Sequence, residues 1–357
     1  MINNSFYYVL LFCVLFIISE IIRHQFNKKE YSTTAAGSIV MAVGIFSLGA
    51  LQKLPFYTPF IAKLITLELS IIWLYIIASY LICYFKQHFS IHMNRISNQF
   101  SIGTWVAGNA TLGILILQEF PSWRMIILIL SILTMAIWIW YICLVVNNLS
   151  KMNKKLYNVH IGSILLATVS TQSIVLLFNF VTFDSTPTIV NQILLIFGCM
   201  FYIVGLIIIM RHHFHISYRK SIIHWDNTNC IIHGAASITG LAGLMTHTVP
   251  IVVIIFIWIW TSCLFFLVEG ISVVKIVKRI QKGGLLRGVL KYNISQWTRN
   301  FTYGMYYAFS LSLFESKLFN NTFLELVVGY GQYIVLIFFM VETFIFFRNK
   351  LSNQKNF

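Results

Sequence analysis

Arg299 stands in the stretch SQWTRNFTYGMYYAFS, Ser295 to Ser310, among Trp297, Phe301, Tyr303, Tyr306 and Tyr307. An arginine inside an apolar segment costs about 2.5 to 3.5 kcal/mol to insert unless it reaches the interface, a partner or water. Placed near the start of its helix, it can reach the aqueous interface or form a vestibule that attracts anions; either position removes the need for a buried ion pair. The histidines offer less. His233 and His247 would lie about 21 Å apart on one helix, too far to share a metal. RHHFHISYR, at 211 to 219, reads as a solvated loop, since its histidines lack a fixed face and a carboxylate partner. His224 with Asp226 in SIIHWDN is the one acid-base candidate for catalysis. The six cysteines (Cys13, Cys83, Cys143, Cys199, Cys230, Cys263) show no CxxC spacing, so neither a zinc site nor a disulfide framework is expected. No cofactor is expected.

The elements that hold these residues must suit lipid. Of the 357 residues, 58% are hydrophobic and only 10% charged, against about 25% charged in soluble domains. Apolar segments of membrane-crossing length are read near 6 to 22, 35 to 51, 61 to 85, 102 to 118, 125 to 149, 160 to 181, 189 to 210, 230 to 249, 251 to 274, 294 to 313 and 323 to 347. The connections between them are too short for a soluble nucleotide-binding domain, and no Walker-type loop occurs. The first segment, preceded by MINNSFYY rather than a basic stretch, reads as a retained helix and not a cleaved signal.

A net charge of +15 could suggest nucleic acid, but the placement of the basic residues argues otherwise. Connections after the odd-numbered spans carry twenty Lys and Arg, the alternate ones only Lys53, Lys63, Arg124 and Lys317. The positive-inside rule then puts the amino terminus outside and the carboxyl terminus in the cytoplasm, and a plasma-membrane location is expected. Arg299 is the twenty-fifth, the one that lies beyond the first turn of a span.

Beyond the first helix, ten spans alternate in character. Those starting at 35, 102, 160, 230 and 294 are rich in small and hydroxyl residues; their partners are bulky, and the glycines divide eleven to five, with three more in the 283 to 288 loop. Small residues allow close helix approach, and hydroxyls suit a bundle interior. Five helical hairpins, each giving one inner and one outer helix, are expected around a common axis. Intramembrane acids (Glu68, Glu269, Glu342) fall on the outer class, with Glu20 on the extra helix. The inner class offers Arg299, His160, His233, His247, Asn109, Gln172 and hydroxyls, a lining that would admit anions rather than cations.

VSTQSIVLL (Val169 to Leu177), HGAASITGLAG (His233 to Gly243) and WTRNFTYGMYY (Trp297 to Tyr307) resemble motifs of the fifth, seventh and ninth core helices of the tellurite-resistance and C4-dicarboxylate transporter family, which includes the plant slow anion channels of guard cells. The resemblance covers about 35 to 347. It divides the chain into an added amino-terminal helix and basic loop (1 to 34), a ten-helix core (35 to 347) and a cytoplasmic tail (348 to 357). It implies an all-α polytopic membrane protein with five hairpins around a central pore, a homotrimer in lipid, small anions as cargo, and a pore-plugging phenylalanine, which by motif is Phe301. Thr104, Asn109, Ser170, Gln172, His233, Thr239, Arg299 and Thr302 are the candidate lining residues. The family's Phe-Pro is Phe301-Thr302 here, so any bend must come from Gly304 or from Thr302 bonding back to the preceding turn.

Two functions follow as expectations. One is an anion channel or facilitative transporter for C4-dicarboxylates, sulfite, tellurite or related small anions, without catalytic activity. The other is a polytopic membrane enzyme such as an acyl or glycosyl transferase, with His224 and Asp226 as its only candidate machinery.

Overall fold

The computed structural model describes residues 2–25, 31–151, 161–182, 187–214, 225–288 and 290–354. His160, His224 and part of the 211 to 219 histidine loop lie outside them. The described residues form helices joined by turns: α1 Ile2–Gln25, α2 Gly37–Leu48, α3 Pro59–Phe85, α4 Ser90–Met93, α5 Ile96–Ser101, α6 Gly103–Glu119, α7 Arg124–Lys151, α8 Leu166–Val181, α9 Thr188–Phe214, α10 Ile231–Met245, α11 Ile251–Gly288, α12 Ser295–Glu315 and α13 Thr322–Gln354. Gly284, at φ 70°, interrupts the helical path of α11 near its end.

Among the described residues, eight helical stretches are long and apolar enough to cross a membrane: 34–53, 59–85, 96–119, 121–151, 161–181, 188–213, 251–282 and 322–351. The other three segments expected to span are helical but differ in kind. In α1 only Tyr7–Ile21 is apolar, α10 has 15 residues, about 22 Å at 1.5 Å each, and α12 carries Ser295, Gln296, Thr298, Arg299 and Asn300 in its first two turns. The last two escape the lipid rule because neighbouring helices enclose them, and enclosed helices can carry polar groups.

Burial separates the helices into the two classes read from composition. Over the most apolar 18 residues of the stretches that contain α2, α6 and α8, 83, 89 and 89% are buried, against 39, 33, 22, 28 and 17% for those of α3, α7, α9, α11 and α13. Helices α2, α6, α8, α10 and α12 pack each against the next, and α12 closes on α2. Glycine permits close approaches between them: a Cβ on Gly108 would meet the Gly37 carbonyl oxygen at 3.1 Å, and one on Gly304 would meet Ile45 Cγ2 at 2.8 Å. Helices α3, α7 and α9 lie outside the ring, each touching two of its members, while α11 packs on α10 and α13 on α12. Their outward faces expose Ile132, Ile196, Phe256 and Ile337, suited to lipid. Helix α1 docks on α3, where Ser19 Oγ donates to Glu68 Oε1 at 3.1 Å and Phe16 stacks on Tyr75.

Candidate functional site

A cavity of about 100 Å³ lies inside the ring, lined by all five of its helices. That is room for several waters, one needing about 10–15 Å³ of such space. The lining comes from the second half of each helix: Ile45 and Leu48 of α2, Thr111 and Gln118 of α6, Ser173 and Phe180 of α8, Leu241 and Met245 of α10, Met305, Ala308 and Ser312 of α12. The five helices therefore run in one direction. The Thr111 and Ser173 hydroxyls donate to the carbonyls of Ala107 and Val169, turning their oxygens rather than their protons toward the space.

Helical register extends this lining beyond the cavity floor. On α12 the series 312, 308, 305 continues at 301, so Phe301 shares the axial face one turn deeper. The same step on the other helices reaches Met41, Ala107, Val169 and Gly234. Phe301 is thus the one aromatic ring at a level otherwise made of small and medium residues. It is 1% exposed.

The opposite face of α12 is polar. Arg299, Tyr303, Tyr306 and Ser310 recur at the spacing of one helical face and turn toward α11. Trp258 Nε1 donates to Ser310 Oγ at 2.9 Å, and Ser262 Oγ and Tyr306 OH are 2.8 Å apart. Arg299 Nη2 donates to Ser272 Oγ at 3.1 Å. Arg299 Nε lies 3.7 Å from Glu269 Oε2, with the two side chains only 17 and 11% exposed. His233 Nε2 of α10 is 3.4 Å from Glu269 Oε1. The expectation that Arg299 needs no buried ion pair is corrected here: an outer-class acid reaches between α10 and α12 to meet it.

The other predicted lining residues divide by orientation. Thr104 belongs to the axial series 104, 107, 111, 114, 118 of α6 and donates to Ser101 O. Asn109 turns outward, its Oδ1 accepting from Trp73 Nε1 of α3 at 2.7 Å. Gln172 likewise turns outward, donating to Leu195 O of α9 at 3.2 Å. Ser170 and Thr239 donate to Ala167 O and Ala235 O on their own helices. Thr302 donates to Arg299 O at 2.8 Å, the back-bond expected in place of the proline, and packs where a Cβ on Gly234 would fall. Helix α12 nevertheless runs unbroken from Ser295 to Glu315, and Gly304 serves close packing against Ile45. Thr111, Gln118, Ser173, Met305 and Ser312 were missed by the sequence reading; counting helical turns outward from Phe301 would have found the last two.

Asp226, the described member of the catalytic candidate, accepts from Asn227 N at 2.6 Å and Thr228 Oγ1 at 3.2 Å, binding the turn before α10. Among the described residues no three His, Cys, Asp or Glu side chains gather as metal ligands.

Fold and lining together define an all-α, polytopic membrane protein. No protein-family model and no curated protein matches the chain.

Proposed function

We propose that the chain is an anion channel or facilitative transporter whose path follows the axis of five helical hairpins and is closed by Phe301. One observation carries this reading: a cavity lined by all five inner helices ends, by register, at a level filled by a single aromatic ring. A benzyl group both fills a narrow bore and makes an apolar constriction that a hydrated ion must shed water to pass. The axial series of the described inner helices carries no carboxylate, which disfavours cations as cargo. Resemblance to the tellurite-resistance and C4-dicarboxylate transporter family favours small anions such as dicarboxylates or sulfite, a plasma-membrane setting and a trimer, with the exposed outer helices meeting lipid and neighbouring protomers. The transferase reading has less support, since Asp226 is engaged in holding a turn.

The test is flux of labelled succinate, sulfite and nitrate into proteoliposomes holding only the purified chain, with reversal potentials in asymmetric salt. Anion flux without any acyl or sugar donor, and potentials that follow the anion gradient, are expected. Permeability favouring cations, or no flux of any of these anions, would overturn the reading.

A further inference from the structure

Toward its end α11 turns basic on one face. Lys275, Lys278, Arg279 and Lys282 recur at i, i+3, i+4 and i+7, the spacing of a single helical stripe. The helical path runs through all four before Gly284, at φ 70°, interrupts it, so the stripe is built on a continuation of the membrane helix. Counted from Ile251 at 1.5 Å per residue, Lys275 stands about 36 Å along α11 and Lys282 about 46 Å. A hydrocarbon core is about 30 Å thick, and the headgroup regions bring the bilayer to about 40–45 Å. The stripe therefore begins at headgroup depth and leads out of it.

Its charges are unopposed. No aspartate or glutamate occurs between Glu269 and Glu315. Lys278, Arg279 and Lys282 are exposed, and among the described residues no salt bridge reaches them. Lys275 is set apart: its Nζ donates to the Trp225 carbonyl oxygen within the field of Asp226, which ties the root of the stripe to the turn before α10. Just below the free cations, Val273, Val274 and Val277 are exposed, and Val274 and Lys278, four residues apart, share one face. Apolar surface below and cations above match a phospholipid whose acyl chains lie along the valines and whose phosphate meets the basic side chains.

We propose that this stripe is a binding site for the headgroup of an anionic phospholipid, with Lys278, Arg279 and Lys282 as the residues that hold it. The inference does not depend on the pore reading. The positive-inside rule accounts for basic residues on this side of the membrane, and six of its twenty fall between 275 and 291. That rule is indifferent to which face of a helix they occupy. Three unpaired cations gathered on one face, directly over exposed valines, are what a membrane phosphodiester requires. A soluble phosphate or a nucleic acid would meet the same cations, yet neither uses the apolar surface beneath them, as a lipid does.

The experiment uses the full chain, cysteine-free except for Gln281→Cys, an exposed position beside the stripe, which carries a fluorescent donor. Phosphatidylcholine nanodiscs hold the protein with a trace of acceptor lipid, labelled on its acyl chain and bearing either a phosphatidylglycerol or a phosphatidylcholine headgroup. Each basic residue near an anionic surface strengthens association about fivefold; averaged over the lipids near the probe, phosphatidylglycerol should be enriched at least about threefold. Raising NaCl from 0.1 to 1 M shortens the screening length from about 10 Å to about 3 Å, and should abolish the enrichment without any substitution. Lys278→Gln/Arg279→Gln/Lys282→Gln should abolish it at low salt. Lys86→Gln/Arg95→Gln/Lys151→Gln, which removes as many charges from the same side of the membrane, should keep it. Equal energy transfer to the two acceptors at low salt, or equal loss in both triple variants, would overturn the proposal. Inorganic phosphate or a short oligonucleotide, added at matched ionic strength, should leave the enrichment unchanged; displacement by either would assign the stripe to a soluble anion and refute the lipid site.

Discussion

Gly37 and Thr104 bring α2 and α6 together so closely that a Cβ on the glycine would lie 2.5 Å from the threonine carbonyl oxygen. Backbone cannot yield as a side-chain tip can. Gly37→Ala should therefore cost about 1–3 kcal/mol through overpacking, while alanine at Gly270, where nothing lies within 4 Å, should be neutral or slightly stabilising. Thermal unfolding in detergent compares them; equal midpoints would mean that the approach is not tight.

Removal of Arg299 leaves the Glu269 carboxylate buried beside a histidine. Arg299→Gln should lose about 3–5 kcal/mol, the usual result of breaking a buried pair from one side. Glu269→Gln should lose less, because a long arginine can reach water. The double variant should lose less than the sum of the two. Additive losses in a denaturation series would show that the 3.7 Å approach carries no coupling.

Phe301→Ala tests the ring one helical turn beyond the cavity. If the ring fills axial space, its loss should raise basal anion flux about tenfold or more, and destabilise by less than the roughly 3–5 kcal/mol of a phenylalanine packed on all sides. Full destabilisation with unchanged flux would make Phe301 a packing residue.

His92 lies in the corner beside the start of α2. Its Nδ1 is 2.9 Å from Thr34 Oγ1, its edge meets Tyr80 and Trp105, and burial holds its imidazole below the ordinary value near 6.5. An unfolded chain then takes up the proton more readily than the folded one, so this corner contributes fully above about pH 6.5 and loses stability as pH falls below it. His92→Gln should flatten that acid limb of the unfolding midpoint. A limb of equal depth in the variant would assign it elsewhere.

The division into buried and lipid-facing helices was legible because composition follows the solvent of each face: AAGSIVMAVG and HGAASITGLAG could not be mistaken for MIILILSILTMAIW. Rotation of each helix was not legible from composition. Asn109 and Gln172 look like the polar lining of a conduit, yet each is turned to an outer neighbour, Trp73 and Leu195. Arg299 and Phe301 are two residues apart, which on a helix means nearly opposite faces, and that alone could have separated the Glu269 contact from the axial face. The partnership with Glu269 lies thirty residues away in sequence. It depends on long side chains bridging α11 and α12, for which no local spacing gives a signal.

Sidedness has its own test. Single cysteines at Ser150 and Lys282 in a cysteine-free chain should react with impermeant thiol reagents from the cytoplasmic side, and one at Lys317 only from outside. All three positions are exposed. A reversed result at any of them would refute the charge-derived orientation.

That the same cavity is lined by the second half of every inner helix also makes the ring electrically polar along its length. Each helix carries a macrodipole worth about half a positive charge at its first turn and half a negative charge at its last, and five aligned copies do not cancel. If the axis is the anion path proposed above, one mouth would draw anions in and the other repel them. Even with Phe301 swung aside, such a passage should rectify, conducting anions more readily toward one compartment than the other at equal and opposite voltages.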